Sequence, residues 1–113
     1  MKLKQLILKN YRNYDDFEYN FKNNKTLIIG KNAQGKTNIL EAIYYLCALD
    51  SARIRKDSEL IKFGCDFLNI KAKVNKIDTD IDLEIVINPP KNKILKVNGL
   101  KKNKAKDFLR VLS

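Results

Sequence analysis

The sequence predicts an α/β fold in which antiparallel strands flank a strand–loop–helix unit, and three observations predict it. The apolar run Leu27-Ile28-Ile29 leads into a polar loop bounded by Gly30 and Gly35, and apolar residues then recur at helical spacing. Phe17, Tyr19 and Phe21 alternate with polar partners, the period-two mark of a half-buried strand. Asn23-Asn24, the segment NKIDTD at 75–80 and Asn98-Gly99 are turn signals set between apolar runs.

Leu3, Leu6, Ile7 and Leu8 make an opening strand that ends near Asn10 to Asn13. It pairs with the strand of Phe17, Tyr19 and Phe21, and Thr26 to Ile29 follow as a buried strand. Tyr11, Tyr14 and Phe17 read as packing residues rather than a platform for stacking a base. Ile39, Leu40, Ile43, Leu46 and Cys47 share a helical period, which predicts a helix from about Lys36 to Leu49. Asp57 or Ser58 is expected to cap a short second helix holding Leu60, Ile61 and Phe63, with Gly64 ending it in the left-handed conformation. Phe67 to Val74 and Ile81 to Ile87 read as a hairpin joined by NKIDTD, and Pro89-Pro90 stops its second strand. Asn98-Gly99 joins two further small strands, and Phe108, Leu109, Val111 and Leu112 mark a closing amphipathic helix. No repeat, low-complexity tract or linker divides the chain.

At 113 residues and 44% apolar content, the chain is long enough for one domain with its own core. Cys47 and Cys65 stand apart with seventeen residues between them, and there is no histidine. That excludes the common zinc patterns, weighs against a disulfide framework, and predicts reduced, buried thiols. Lysines interrupt the apolar residues of the N-terminus, so no signal-peptide core is present, and no run approaches a membrane span. A cytoplasmic, soluble protein is expected. The net charge of +10 favours polyanionic partners, although the lysines are scattered as on an ordinary solvated surface.

Gly30-Lys31-Asn32-Ala33-Gln34-Gly35-Lys36-Thr37 fits GxxxxGK[ST] at every fixed position, after a strand and at the start of a helix. A loop of this length turns successive backbone N–H groups inward to cradle phosphates. Gly30 and Gly35 allow close backbone approach, and the helix N-terminus adds its positive end. Lys36 is then placed for the β- and γ-phosphate oxygens and Thr37 for Mg²⁺, which makes a nucleotide with Mg²⁺ the expected ligand pair. Asn75-Lys76-Ile77-Asp78 also matches the NKxD element by which GTP-binding proteins read guanine. The DxxG loop such proteins require is missing, and the segment is better explained as a turn.

The stretches LKNYRNYDDFEYNF, LIIGKNAQGKTNILEAIYYL, SARIRKDSELIKFG and KVNGLKK resemble the N-terminal part of the RecF family, relatives of the SMC and ABC ATPases. The resemblance covers essentially all 113 residues, and Asn38 after Thr37 is typical of that group. It implies the N-terminal subdomain of a P-loop NTPase of the ABC/SMC head type, with antiparallel strands flanking the Walker A strand–loop–helix. It also implies that Arg12 sits near the nucleotide, beside Gly30, Lys31, Asn32, Ala33, Gln34, Gly35, Lys36, Thr37 and Asn38. The family usually carries Ser-His-Arg where this chain has Ser51-Ala52-Arg53, so Arg53 is kept and the histidine is not.

Further implications of the resemblance concern the whole protein. They are ATP-dependent binding of DNA, both duplex and single/double-strand junctions, cooperation with RecR and RecO, RecA loading in gap repair, and an ATP-dependent homodimer. The chain holds no LSGGQ-like segment and no apolar strand ending in paired acids for a Walker B site. A truncated N-terminal piece, residues 1–113, that does not hydrolyse ATP by itself is therefore expected. The alternative is a basic module that binds DNA or protein without nucleotide, its phosphate loop incomplete.

Overall fold

Buried and exposed positions alternate along β1 (Lys2–Tyr11), where Leu6 and Leu8 face inward and Gln5, Ile7 and Lys9 face outward. The structure, a computed structural model, describes residues 1–21, 33–51 and 53–112, with side chains from Thr37 onward in the second stretch. The expected strand Thr26 to Ile29, the Asn23-Asn24 turn and Gly30, Lys31 and Asn32 lie outside the described residues.

β1 pairs antiparallel with β2 (Tyr14–Asn20) on one side and with β3 (Leu68–Lys76) on the other. β4 (Thr79–Ile87), β5 (Ile94–Val97) and β6 (Leu100–Lys102) continue the sheet in the order β2-β1-β3-β4-β5-β6. Every neighbouring pair is antiparallel. The inner face carries Leu6, Leu8, Leu68, Ile70, Ala72, Val74, Leu83, Ile85, Ile87, Leu95 and Val97, all buried. Each large aliphatic side chain among them stabilises the fold by roughly 1.5–3 kcal/mol.

The helix α1 (Ala33–Ala48) starts inside the GxxxxGKT stretch, earlier than the predicted Lys36, and stops at Ala48. Leu49 adopts φ 55° and donates its N–H to the Tyr45 carbonyl at 2.7 Å, a left-handed stop to the helix. Asn38, Glu41, Ala42 and Tyr45 are buried at i, i+3, i+4 and i+7, flanked by buried Ile39 and Leu46. Leu40 and Cys47 are instead exposed, which corrects both the predicted apolar face and the expectation of buried thiols. The helix's inner face is rotated away from the stripe that apolar residues alone suggest. Polar Asn38 and Glu41 occupy it because their hydrogen bonds are met there.

The predicted second helix is only a 3-10 turn over Asp57–Leu60. Neither Asp57 nor Ser58 caps it; the Glu59 carboxylate reaches back to the N–H groups of Arg55 and Lys56. Phe63 is 97% exposed, so no apolar side chain draws the helix onward. Gly64, at φ 87°, serves a separate turn in which Cys65 donates to the Lys62 carbonyl at 3.0 Å. The hairpins at 75–80 and at Asn98-Gly99 form as predicted, and the tail folds as α2 (Ala105–Leu109) with Phe108 fully buried.

Candidate functional site

The turn between β1 and β2 consists of Arg12 and Asn13, bracketed by the pair Tyr11–Tyr14. Arg12 is held at φ 54°, a backbone region that non-glycine residues rarely occupy. Two contacts impose it. Its N–H donates to the Leu60 carbonyl at 2.8 Å, while Lys62 donates to the Asn10 carbonyl at 2.8 Å, strapping the 3-10 turn to the end of β1. Its guanidinium forks onto Glu41 of α1, Nε to Oε1 at 3.0 Å and Nη2 to Oε2 at 2.8 Å.

Glu41 is the centre of the site. Its side chain is 5% exposed and accepts further hydrogen bonds from Tyr11 Oη at 2.6 Å, Ser51 Oγ at 2.7 Å and Arg53 Nε at 3.0 Å. Arg53 Nη2 donates to Asn38 Oδ1 at 2.9 Å, and Asn38 Nδ2 donates to Asn13 Oδ1 at 3.0 Å. One carboxylate thus joins the β1–β2 turn, α1 and the segment at 51–53. Such a buried charge is tolerated only because charged and neutral donors saturate it.

The protonation states follow from this geometry. Burial acts to raise the Glu41 carboxyl, but hydrogen bonds from Arg12, Tyr11, Arg53 and Ser51 outweigh it and hold the group at about 2. Burial first, then the hydrogen bond and charge of Glu41, push the Tyr11 hydroxyl far above its ordinary value. Tyr11 is therefore a fixed donor. The bond to Glu41 raises Arg12 above the usual arginine range. Lys93 completes the surroundings by joining α1 to the 3-10 turn, with Nζ 3.2 Å from Tyr45 Oη and 2.8 Å from Asp57 Oδ2.

The predicted site residues divide as follows. Gly30, Lys31 and Asn32 lie outside the described residues, while Ala33, Gln34, Gly35 and Lys36 form the first turn of α1, described here in their backbone. Arg12 and Asn38, 26 positions apart, line one cavity of about 360 Å³ with Asn13, Glu59 and Ile61. Exposed Thr37 lines a second, of about 430 Å³, with Leu40, Glu41, Tyr44, Ser51 and Arg53. Asn38 itself is 2% exposed, and both ends of its amide are taken by Arg53 and Asn13.

Glu41, Asn13 and Ser51 are absent from the residues predicted for the site, and Tyr11 was expected only to pack. One signal pointed to Glu41: it is the only acidic residue between Glu18 and Asp50, and it shares a helical face with Asn38, Ala42 and Tyr45. Among the described residues, no cluster of three acidic or thiol groups could hold a metal ion, and no helix is long and apolar enough to cross a membrane.

Comparison with known proteins agrees with this architecture. The family described as AAA ATPase domain matches residues 1–113. The DNA replication and repair protein RecF of Natranaerobius thermophilus is 44% identical over 115 residues, covering 100% of this chain and 30% of that protein. RecF of Lactococcus lactis subsp. cremoris is 42% identical, covering 96% of this chain and 30% of its own length. The chain thus spans about 30% of the length of the curated relatives it matches. Among solved structures, the recombination mediator protein RecF with ATP superposes with a TM-score of 0.86 at 36% identity, over 96% of this chain and 29% of that one. An SMC ATPase studied for ATP-driven dimerisation superposes at 0.84 with 23% identity, over 99% of this chain and 78% of that one, a likeness of fold alone. With the fold of the ABC/SMC-type ATPase head and a sequence akin to RecF throughout, the chain belongs to the AAA ATPase domain family.

Proposed function

We propose that this chain is the ATP-binding N-terminal part of a RecF-like recombination mediator that engages DNA in an ATP-dependent manner. The observation that carries the reading is the cavity shared by Arg12 and Asn38, beside a helix that rises out of the GxxxxGKT stretch. The donor set suits phosphate: two guanidiniums share one carboxylate, so the hydrogen-bonded network keeps an excess positive charge. Lys36 would meet the β- and γ-phosphate oxygens, and the backbone N–H groups of residues 30–36 would cradle them. Mg²⁺ would take the Thr37 hydroxyl, with phosphate oxygens and water as its remaining ligands, as this ion commonly does.

DNA contact is assigned to residues 91–106, which hold seven lysines and no acidic residue. Dimerisation on ATP, and action with RecR, RecO and RecA in gap repair, belong to the complete protein under this reading. The decisive experiment titrates Mg-ATP against the wild type and Lys36→Ala by calorimetry. Binding by the wild type that weakens at least about tenfold in the variant is expected, the scale of one lost charged hydrogen bond. Equal, negligible binding by both would leave the nucleotide-independent basic module as the better account.

A further inference from the structure

The site contains one more arginine than its buried carboxylate needs. A single bidentate guanidinium, that of Arg12, already balances Glu41. Arg53 is nonetheless drawn onto the same Oε2, at 3.0 Å, and its second contact is to Asn38. Both guanidiniums are pinned by two contacts each, and Nη1 of each donates to no described residue. Both stay partly open, with side-chain exposures of 24% and 39%, and they line the two cavities that open beside α1. The carboxylate that lines Arg12's cavity, Glu59, is engaged by the N–H groups of Arg55 and Lys56. Arg53, in a turn, and Arg12, in a strained backbone region, have no helix or strand of their own to orient them. Glu41 does that from the rigid helix.

We propose that Glu41 is a positioning residue: it orders Arg12 and Arg53 as a pair that receives the phosphate oxygens of the nucleotide, without touching the nucleotide itself. The proposal rests on the ATP-binding reading given above. Rotation about two long side chains is thereby removed before the ligand arrives, so less ordering entropy is lost on binding.

Glu41→Gln tests it, since glutamine keeps the shape and one acceptor while losing the charge. In ¹⁵N spectra of the 113-residue chain, the wild type should show two slowly exchanging arginine Nε–Hε signals that shift on adding Mg-ATP. Glu41→Gln should broaden or lose both signals and weaken Mg-ATP binding about tenfold. Glu41→Asp, one methylene shorter, should fall between. Phe108→Leu, a change in the core at α2, controls for stability: it should lower the melting temperature and leave both arginine signals and ATP affinity intact. The proposal is overturned if Glu41→Gln binds Mg-ATP like the wild type with its arginine signals unmoved, or if Phe108→Leu weakens binding as much. Tripolyphosphate separates the two readings, because it carries the phosphates without the base. Wild type that ignores Mg-ATP while tripolyphosphate shifts both signals overturns the nucleotide assignment and supports the positioning role. Signals unmoved by either ligand overturn the positioning role.

Discussion

Glu41 shows how one side chain turns a helix into part of a site. Held at about 2, it is more acidic folded than unfolded, so its network contributes stability that is fully present above about pH 4.5 and is lost as pH falls through about 2. The shift corresponds to about 3 kcal/mol. Acid unfolding followed by circular dichroism should therefore be steeper between those pH values for the wild type than for Glu41→Gln. Parallel profiles would show that the carboxylate is not ionised against its partners in the folded state. Tyr11 works at the opposite limit. Its raised ionisation keeps its contribution intact below about pH 10, and the contribution fades above that as the hydroxyl is forced to ionise. Neither role is legible from composition, because an isolated Glu in an amphipathic helix ordinarily marks the solvent face.

At the scale of elements, the two hairpins on the β4 side use the same turn with different residues. Asn98 and Gly99 take φ 52° and 80°, and Asn98 is further fixed by accepting the Asp82 N–H at 2.8 Å. Ile77 and Asp78 take φ 51° and 58°, the left-handed pair of a type I′ turn, with a β-branched residue that is 88% exposed. Ile gains nothing from burial there and opposes the backbone, while Asn accepts that conformation readily. Ile77→Asn should stabilise the chain by about 1 kcal/mol, seen as a higher urea midpoint with an unchanged slope. A lower midpoint would mean that Ile77 makes a contact worth more than the strain. The turn itself was legible from NKIDTD; the strain within it was not, since the motif reveals the bend and not the angles.

Across the whole molecule, the charge of +10 is unevenly spread. On the outer sheet face, β3 and β4 set Lys71 opposite Glu84 and Lys73 opposite Asp82, and Lys9 of β1 faces Asp16 of β2. These columns neutralise one another. Residues 91–106, which form β5, β6 and the start of α2, hold no acid of their own; Lys96 faces Glu84 and Lys93 pairs with Asp57, whereas Lys101 and Lys102 of β6 face Lys96 and Leu95. If they contact a nucleic-acid backbone, replacing Lys101, Lys102 and Lys104 with Gln should reduce the slope of log affinity against log salt by about 2–3 for duplex DNA. Fluorescence anisotropy across a salt series measures it. Lys71→Gln, set against Glu84, should leave the slope unchanged, and equal effects of both substitutions would show that charge acts only in bulk.

Local chemistry alone determined most elements of this chain. Apolar runs and alternation specify β1 to β4, Asn98-Gly99 specifies the β5–β6 turn, and GxxxxGKT followed by an apolar period specifies that the helix α1 follows, because each depends on residues close in sequence; the helix begins at Ala33, earlier than that period alone suggests. The second helix failed for the same reason. Its capping residues were present at Asp57 and Ser58, but Phe63 found no core to bury in. What only the tertiary structure decided is the meeting of Tyr11, Arg12, Asn38, Glu41, Ser51 and Arg53 around one carboxylate. Those residues come from a strand end, a helix and a loop. Their partnership depends on desolvation and on donors brought to Glu41 from up to 30 positions away, and no local pattern encodes it.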